Sequence, residues 1–228
     1  MNIIEAKKII KTYTNGSVET HVLKGIDLSV KKGEWLAIMG KSGAGKSTLL
    51  YQISLLDTPT SGSIHLEGRD VISMSDDART DFRLAELGYV FQDYALLPEL
   101  DVMENVMVPL LMKGMSDKEA KELASKSLTR IGLGHRLSFR PTQISGGEQQ
   151  RVSIARATAQ DPKILFADEP TANLDSASSD SVIGIMKDLH KEGQTIVMVT
   201  HEREYTKYCD RIVYLDDGLI VKEDVLNN

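Results

Sequence analysis

The apolar segment Trp35 to Met39 runs straight into Gly40-Lys41-Ser42-Gly43-Ala44-Gly45-Lys46-Ser47-Thr48 and then into Leu49, Leu50 and Tyr51. Buried strand, glycine loop and helix follow in that order, and the loop fits the G-x-x-x-x-G-K-[ST] spacing of a phosphate-binding turn. Glycines let backbone N–H groups curl around phosphate oxygens, and the helix N-terminus adds partial positive charge. Lys46 is placed to reach the β and γ phosphates, and Ser47 offers an oxygen to Mg²⁺. Such a match arises by chance in roughly one chain in a hundred of this length, which makes an ordinary glycine turn the weaker reading.

The rest of the chain is consistent with an α/β protein built around that loop. Ile3 to Thr14 and Val22 to Val30 read as strands separated by the turn-like Asn15-Gly16-Ser17, an expected N-terminal antiparallel β subdomain, and Lys31 to Glu34 as the turn before Trp35. Further strand-length apolar runs stand at Tyr89 to Phe91, Lys163 to Ala167, Thr195 to Val199 and Arg211 to Leu215. Several precede helix-like segments, which predicts a mainly parallel sheet covered by helices. Asp217-Gly218 between two apolar runs predicts a β-hairpin. From about Asp93 to Ile144 the spacing turns helical, as in Asp117 to Glu122 leading to Leu128 and Ile131. We read an inserted helical subdomain over about 93–146, within one domain spanning 1–228. Met103, Met107, Met112 and Met115 recur in it at near-helical spacing, read as gap-filling core or, alternatively, as an adaptable groove for a partner helix.

Two further segments carry chemistry. Lys163 to Ala167 ends abruptly in Asp168-Glu169 before Pro170. At a strand's C-terminal end Asp168 is placed to hold the hydration shell of Mg²⁺, and Glu169 to orient or deprotonate an attacking water. Taken alone the pair could simply cap a turn. Ile144-Ser145-Gly146-Gly147-Glu148-Gln149-Gln150-Arg151 forms a second tight loop at a helix start, an anion site without its own lysine or a plain N-cap.

Together these three motifs resemble the ATP-binding cassette (ABC) family, over essentially the whole chain. The resemblance implies that Ser145, Gly146 and Gly147 form the signature loop, which touches the γ phosphate held by the other subunit. It implies that Tyr13 stacks on adenine and that Gln92 is the lever glutamine touching Mg²⁺ and the water. It also implies that Asp175, in Ala172-Asn173-Leu174-Asp175, lies in the loop crossing the dimer seam, and that His201 is the switch histidine gripping the γ phosphate. Alone, Tyr13 would be an edge-strand tyrosine, Gln92 a surface residue, Asp175 an N-cap and His201 a surface or capping histidine. The family pattern is departed from at Lys41, Ile144 and Glu148, where proline, leucine and glutamine are commoner.

Segment Phe91 to Pro98, with Glu104-Asn105-Val106 and Pro109-Leu110-Leu111, is similar to the lipoprotein-release and macrolide-export branch. The expected protein is therefore the ATP-binding and ATP-hydrolysing subunit of an ABC transporter, using ATP and Mg²⁺. Its expected partners are a transmembrane permease subunit and a second copy of itself, met head to tail. An ATPase driving a mechanotransmission or cell-envelope regulatory complex would carry the same cassette.

Composition narrows the field further. Of the residues, 41% are hydrophobic and 26% charged, as in a soluble globular protein. A formal net charge of -6 without a dense basic run gives little counterion-release energy, so no nucleic-acid partner is expected. A single short cassette also weighs against a soluble ABC ATPase acting on DNA or ribosomes, and no Asn-Lys-x-Asp segment points to guanine. Cys209 is the sole cysteine, which excludes an internal disulfide. Met1 to Ile10 carries Glu5, Lys7 and Lys8 and does not resemble a signal peptide, and no apolar stretch approaches the roughly 20 residues that span a bilayer. A cytoplasmic protein, peripheral on the membrane through its partner, is expected.

Overall fold

A computed structural model describes residues 1–226. In chain order the elements are β1 (Asn2–Asn15), β2 (Val18–Lys31), β3 (Trp35–Gly40), α1 (Lys46–Ile53), β4 (Ser61–Leu66), β5 (Arg69–Asp70) and α2 (Asp76–Glu86). Next come β6 (Leu87–Val90), α3 (Val102–Met112), α4 (Asp117–Arg130), α5 (Gly146–Thr158), β7 (Ile164–Asp168) and α6 (Ser176–Lys191). The chain closes with β8 (Thr195–Val199), α7 (Arg203–Thr206), β9 (Arg211–Asp216) and β10 (Leu219–Val225). Two compact units are distinguished, one of residues 1–80 with the chain from Gly193 onward, the other of Asp81–Glu192. The fold is α/β, as expected, with an antiparallel sheet, mainly parallel strands and helices. Among the described residues no helix is long and apolar enough to cross a membrane.

In the first unit an antiparallel sheet is ordered β2-β1-β4-β5. Its β2 follows a two-residue period: Ile26, Leu28 and Val30 are buried while Asp27 and Ser29 are exposed. The neighbouring strands run β10-β9-β3-β8, with β3 parallel to both β8 and β9. Both β3 and β8 are apolar on both faces; Trp35, Leu36, Ala37, Ile38 and Ile196 to Val199 are all fully buried. That explains why these two read as unbroken apolar runs rather than alternating ones. The β9–β10 hairpin turns at Asp217 and Gly218, both with positive φ (45° and 76°), the geometry an Asp-Gly pair favours.

In the second unit β6 pairs in parallel with β7. Helices α3, α4 and α5 enclose a core of Val102, Val106, Leu110, Ala124, Leu128 and Val152, among others. Asp101 and Ser116 start α3 and α4 with complete capping boxes to Glu104 and Glu119, each satisfying two otherwise orphaned N–H groups. Met107 is buried in this core and Met103 and Met115 pack against it, whereas Met112 is exposed. Strands β4 and β5 and helix α2 have no counterpart in the sequence reading. The apolar run at Tyr89 to Phe91 is also shifted, because the strand ends at Val90. Phe91 is apolar because its ring packs on Tyr89, with centroids 4.4 Å apart, not because it joins the ladder.

Candidate functional site

The phosphate loop lies between β3 and α1, where the sequence reading put it. Gly40 is held to glycine by its neighbour strand, since a Cβ there would come within 2.3 Å of the Leu215 carbonyl oxygen. Gly45 is the N-cap of α1 in the left-handed region, φ 96°, and no side chain among the described residues caps that helix. Its first turn carries no acidic residue either, so both backbone donors and dipole remain available to an anion. Lys46, almost fully buried, bends back over the loop and donates from Nζ to the Lys41 carbonyl at 3.1 Å. From behind, the Gly218 N–H donates to the Ala44 carbonyl at 3.2 Å, and Lys24 N–H to the Gly218 carbonyl at 3.0 Å. The β9–β10 turn thus braces the loop.

In the same unit Tyr13 lies on β1, 43% exposed, and donates its hydroxyl to Asp57 at 2.9 Å. Burial and then Asp57 raise its pKa, while a hydrogen bond with the Thr48 side chain, at the end of the phosphate-loop motif, opposes them. His201 is exposed just beyond β8, after the buried Thr200, whose hydroxyl accepts from the Glu202 N–H at 3.0 Å.

The second unit holds the remaining candidates. Asp168, buried, ends β7, and Glu169 follows with φ 44°, a left-handed backbone that a non-glycine residue adopts at a cost of about 1 kcal/mol. Glu169 shares this backbone with other non-glycine residues, Tyr94, Ala95 and Asp217 among them, so the strain agrees with a functional position without marking it out by itself. Ser145 is the N-cap of α5: its side chain accepts from the Glu148 N–H at 3.3 Å, and Glu148 Oε2 accepts the Ser145 N–H at 2.8 Å. The bond from the Ser145 N–H holds the Glu148 carboxyl below its usual pKa, and Arg136, 3.3 Å away, adds to this. Gly147 admits no larger residue, because a Cβ would meet the Ser178 Oγ at 2.5 Å.

Gln92 is exposed after β6, in a segment knitted to its surroundings. Asn173 Nδ2 donates to the Gln92 carbonyl at 3.1 Å, and Gln150 Nε2 to that of Phe91 at 3.3 Å. Beyond Gln92, Tyr94 and Ala95 both have positive φ (64° and 49°) and are clamped by Arg156 of α5, which donates to their carbonyls at 2.9 and 2.5 Å. Asp175 is the N-cap of α6, accepting from the Ser178 N–H at 2.9 Å and hydroxyl at 2.8 Å. The second unit therefore ties the Gln92 segment, α5 and the Asn173 to Asp175 loop to one another.

Ser47 in the first unit, and Gln92 and Asp168 in the second, each carry an oxygen donor of the kind a hard divalent ion takes. Among the described residues no cluster of three or more His, Cys, Asp or Glu could hold a metal unaided. An ion completed by substrate phosphates and water is the habit of Mg²⁺.

A model of the ABC transporter family matches residues 23–172. The chain belongs to the ABC transporter family. It is 50% identical over 217 residues to the lipoprotein-releasing system ATP-binding protein LolD of Aquifex aeolicus, covering 95% of this chain and 94% of that protein. To the macrolide export ATP-binding/permease protein MacB of Syntrophobacter fumaroxidans it is 46% identical over 226 residues, covering 98% of this chain but 32% of MacB. Its fold matches the ATP-binding cassette MJ0796, solved as a dimer in a post-hydrolysis state bound to ADP and Pi. The TM-score is 0.92, with 39% identity and 99% of each chain covered. This chain is thus an ABC transporter ATP-binding subunit of the LolD and MacB type, an ATPase that binds and hydrolyses ATP.

Sequence reasoning missed the residues that hold this ABC ATPase's candidate groups in place: Lys11, Gln52 and Asp57 around Tyr13, Arg136 beside Glu148, and Asn173 and Arg156 around the Gln92 segment. Several act across a long sequence separation, Asn173 on Gln92 over 81 positions and Arg156 on Tyr94 over 62, whereas Gln52 lies 5 positions from Asp57. Only the unusual placement of charge at Lys11 in a strand was there to be noticed.

Proposed function

We propose that two copies of this subunit close head to tail on ATP and drive a separate transmembrane permease. Each nucleotide would lie between the phosphate loop of one copy and Ser145, Gly146 and Gly147 of the other. The open α1 N-terminus, with Gly45 as N-cap and Lys46 folded over the loop, is the observation that carries this reading. The MJ0796 cassette, itself solved as a dimer, supports the assembly. That MacB is named an ATP-binding/permease protein supports the membrane partner. The subunit would then sit on the cytoplasmic face of a membrane through that partner.

In this scheme the N–H groups from Gly40 to Thr48 and the Lys46 ammonium hold the β and γ phosphates, and Tyr13 stacks on adenine. Ser47, Asp168 and Gln92 would hold Mg²⁺, which when bound spreads the charge developing on the phosphate oxygens. Glu169 orients the attacking water and accepts its proton, a role worth typically 10²–10⁴ in rate. His201 donates to the γ phosphate, and Asp175 lies at the seam between copies. The helices within about 93–146 pass the movement on, because Arg156, Gln150 and Asn173 tie the Gln92 segment to α5 and the seam loop.

Glu169→Gln is the direct test. It is expected to abolish ATP turnover while an ATP-stabilised dimer accumulates in size-exclusion chromatography; full hydrolysis would remove Glu169 from its role, and a persistent monomer would remove the dimer.

A further inference from the structure

Asp57 lies beyond the C-terminal end of α1, where the helix macrodipole opposes a negative charge. Donors from three directions hold it there instead. Oδ2 accepts from the Tyr13 hydroxyl at 2.9 Å and from Gln52 Nε2 at 3.0 Å. Oδ1 accepts from Lys11 Nζ at 2.8 Å and from the Thr58 N–H at 2.7 Å. Burial by itself would raise the carboxyl's pKa, but the bonds from Lys11, Gln52, Tyr13 and Thr58 outweigh it and bring it down to about 2. Asp57 is thus a carboxylate throughout the physiological range.

Its partners link two elements with different duties. Lys11 and Tyr13 belong to β1, whereas Gln52, fully buried, belongs to α1, the helix that opens from the phosphate loop. Lys11 also donates to the Thr58 carbonyl at 2.7 Å and stands 4.8 Å from the centroid of the Tyr13 ring. A cation at that distance attracts the ring face, adding a second restraint on its tilt. At the other end of α1 the Thr48 side chain hydrogen-bonds the same phenol.

We propose that Asp57 is a positioning residue for nucleotide-base recognition: by accepting the Tyr13 hydroxyl it fixes the ring against α1, so that base and phosphates are gripped at a set separation. The proposal rests on Tyr13 being the base-stacking aromatic. A tyrosine there does two things that phenylalanine cannot combine, since the ring provides the stacking surface and the hydroxyl provides the anchor. Without the anchor the ring would have to be ordered by each arriving nucleotide, at a cost to affinity.

The test measures binding of ATP and of inorganic tripolyphosphate by calorimetry, using the full chain, Tyr13→Phe, Asp57→Ala and Lys46→Ala. Tyr13→Phe keeps the ring and removes the hydroxyl, and with it the bond to Asp57. It is expected to weaken ATP about threefold to tenfold, with tripolyphosphate unchanged. Asp57→Ala should do the same, and Tyr13→Phe stands alone if that variant fails to fold. ATP binding to Tyr13→Phe as tight as to the unmodified chain overturns the proposal. Equal weakening of both ligands also overturns it, because the network then merely braces the phosphate helix. Two other results would break the underlying reading, and the proposal with it. One is tripolyphosphate bound as tightly as ATP by the unmodified chain, which removes Tyr13 from base stacking. The other is Lys46→Ala retaining both ligands, which removes the phosphate loop itself.

Discussion

The two glycine loops, each opening a helix, look alike in sequence and differ in how their helices begin. Helix α1 starts at Gly45 in a left-handed conformation, with no side-chain cap among the described residues and no acid in its first turn. Helix α5 starts at Ser145 with a complete capping box and with Glu148 in its first turn. The first N-terminus leaves its donors and its dipole to an external anion. The second has consumed part of both internally, so it can complete an anion site but is poorly suited to build one alone. This division of labour agrees with the proposed scheme, in which the first loop binds ATP and Ser145, Gly146 and Gly147 act on a ligand already held by the other copy.

The largest effect is expected at the open terminus. In the proposed scheme Lys46→Ala would remove charge-assisted contacts to two phosphates, worth about 1.5–3 kcal/mol each, so ATP binding should weaken by roughly a hundredfold or more in calorimetry. The variant should remain folded, because among the described residues the Lys46 ammonium donates only to the Lys41 carbonyl. If ATP affinity falls less than tenfold, the loop backbone and not the lysine carries the binding, and the contrast with α5 shrinks accordingly.

The capped terminus should respond in stability instead. Ser145→Ala deletes the N-cap and is expected to cost about 1 kcal/mol, read as a lower urea midpoint with an unchanged m-value. No equivalent loss can be engineered at α1, whose N-cap has no side chain. Unchanged stability would mean that water replaces the serine at no cost and that the two termini differ less than their hydrogen bonds imply.

Much of this was legible before the structure. Trp35 to Tyr51 and the Asp217-Gly218 hairpin are encoded in consecutive residues, and local rules read them well. The β1–β2 pair was visible for the same reason, through two runs of mixed β-branched and polar residues on either side of the turn-like Asn15-Gly16-Ser17. What escaped was contact between distant residues: Tyr13 meets Asp57 across 44 positions, and Arg156 meets Ala95 across 61. The left-handed backbone of Glu169 was equally hidden, because no propensity favours it; the turn that it opens through Pro170 is closed by the Ala172 N–H on the Glu169 carbonyl at 3.2 Å.

The smallest expected effect isolates charge from capping. Glu148→Gln keeps an acceptor for the Ser145 N–H, so the capping box and the stability at neutral pH should change by only a few tenths of a kcal/mol. The carboxyl's pKa lies below its ordinary value of 4.5, so the stability it adds is complete above that value and declines as pH falls below it. The glutamine variant should lack that acid-side decline in urea titrations. Removing a negative charge from the first turn of α5 is worth about 0.3–1 kcal/mol to an arriving anion, so ATP-dependent dimerisation should tighten about twofold to fivefold. Arg136 lies 3.3 Å from the same carboxylate, and the outcome measures what it does. If dimerisation is unaffected, Arg136 has already cancelled the charge, and α5 differs from α1 in its hydrogen bonds alone.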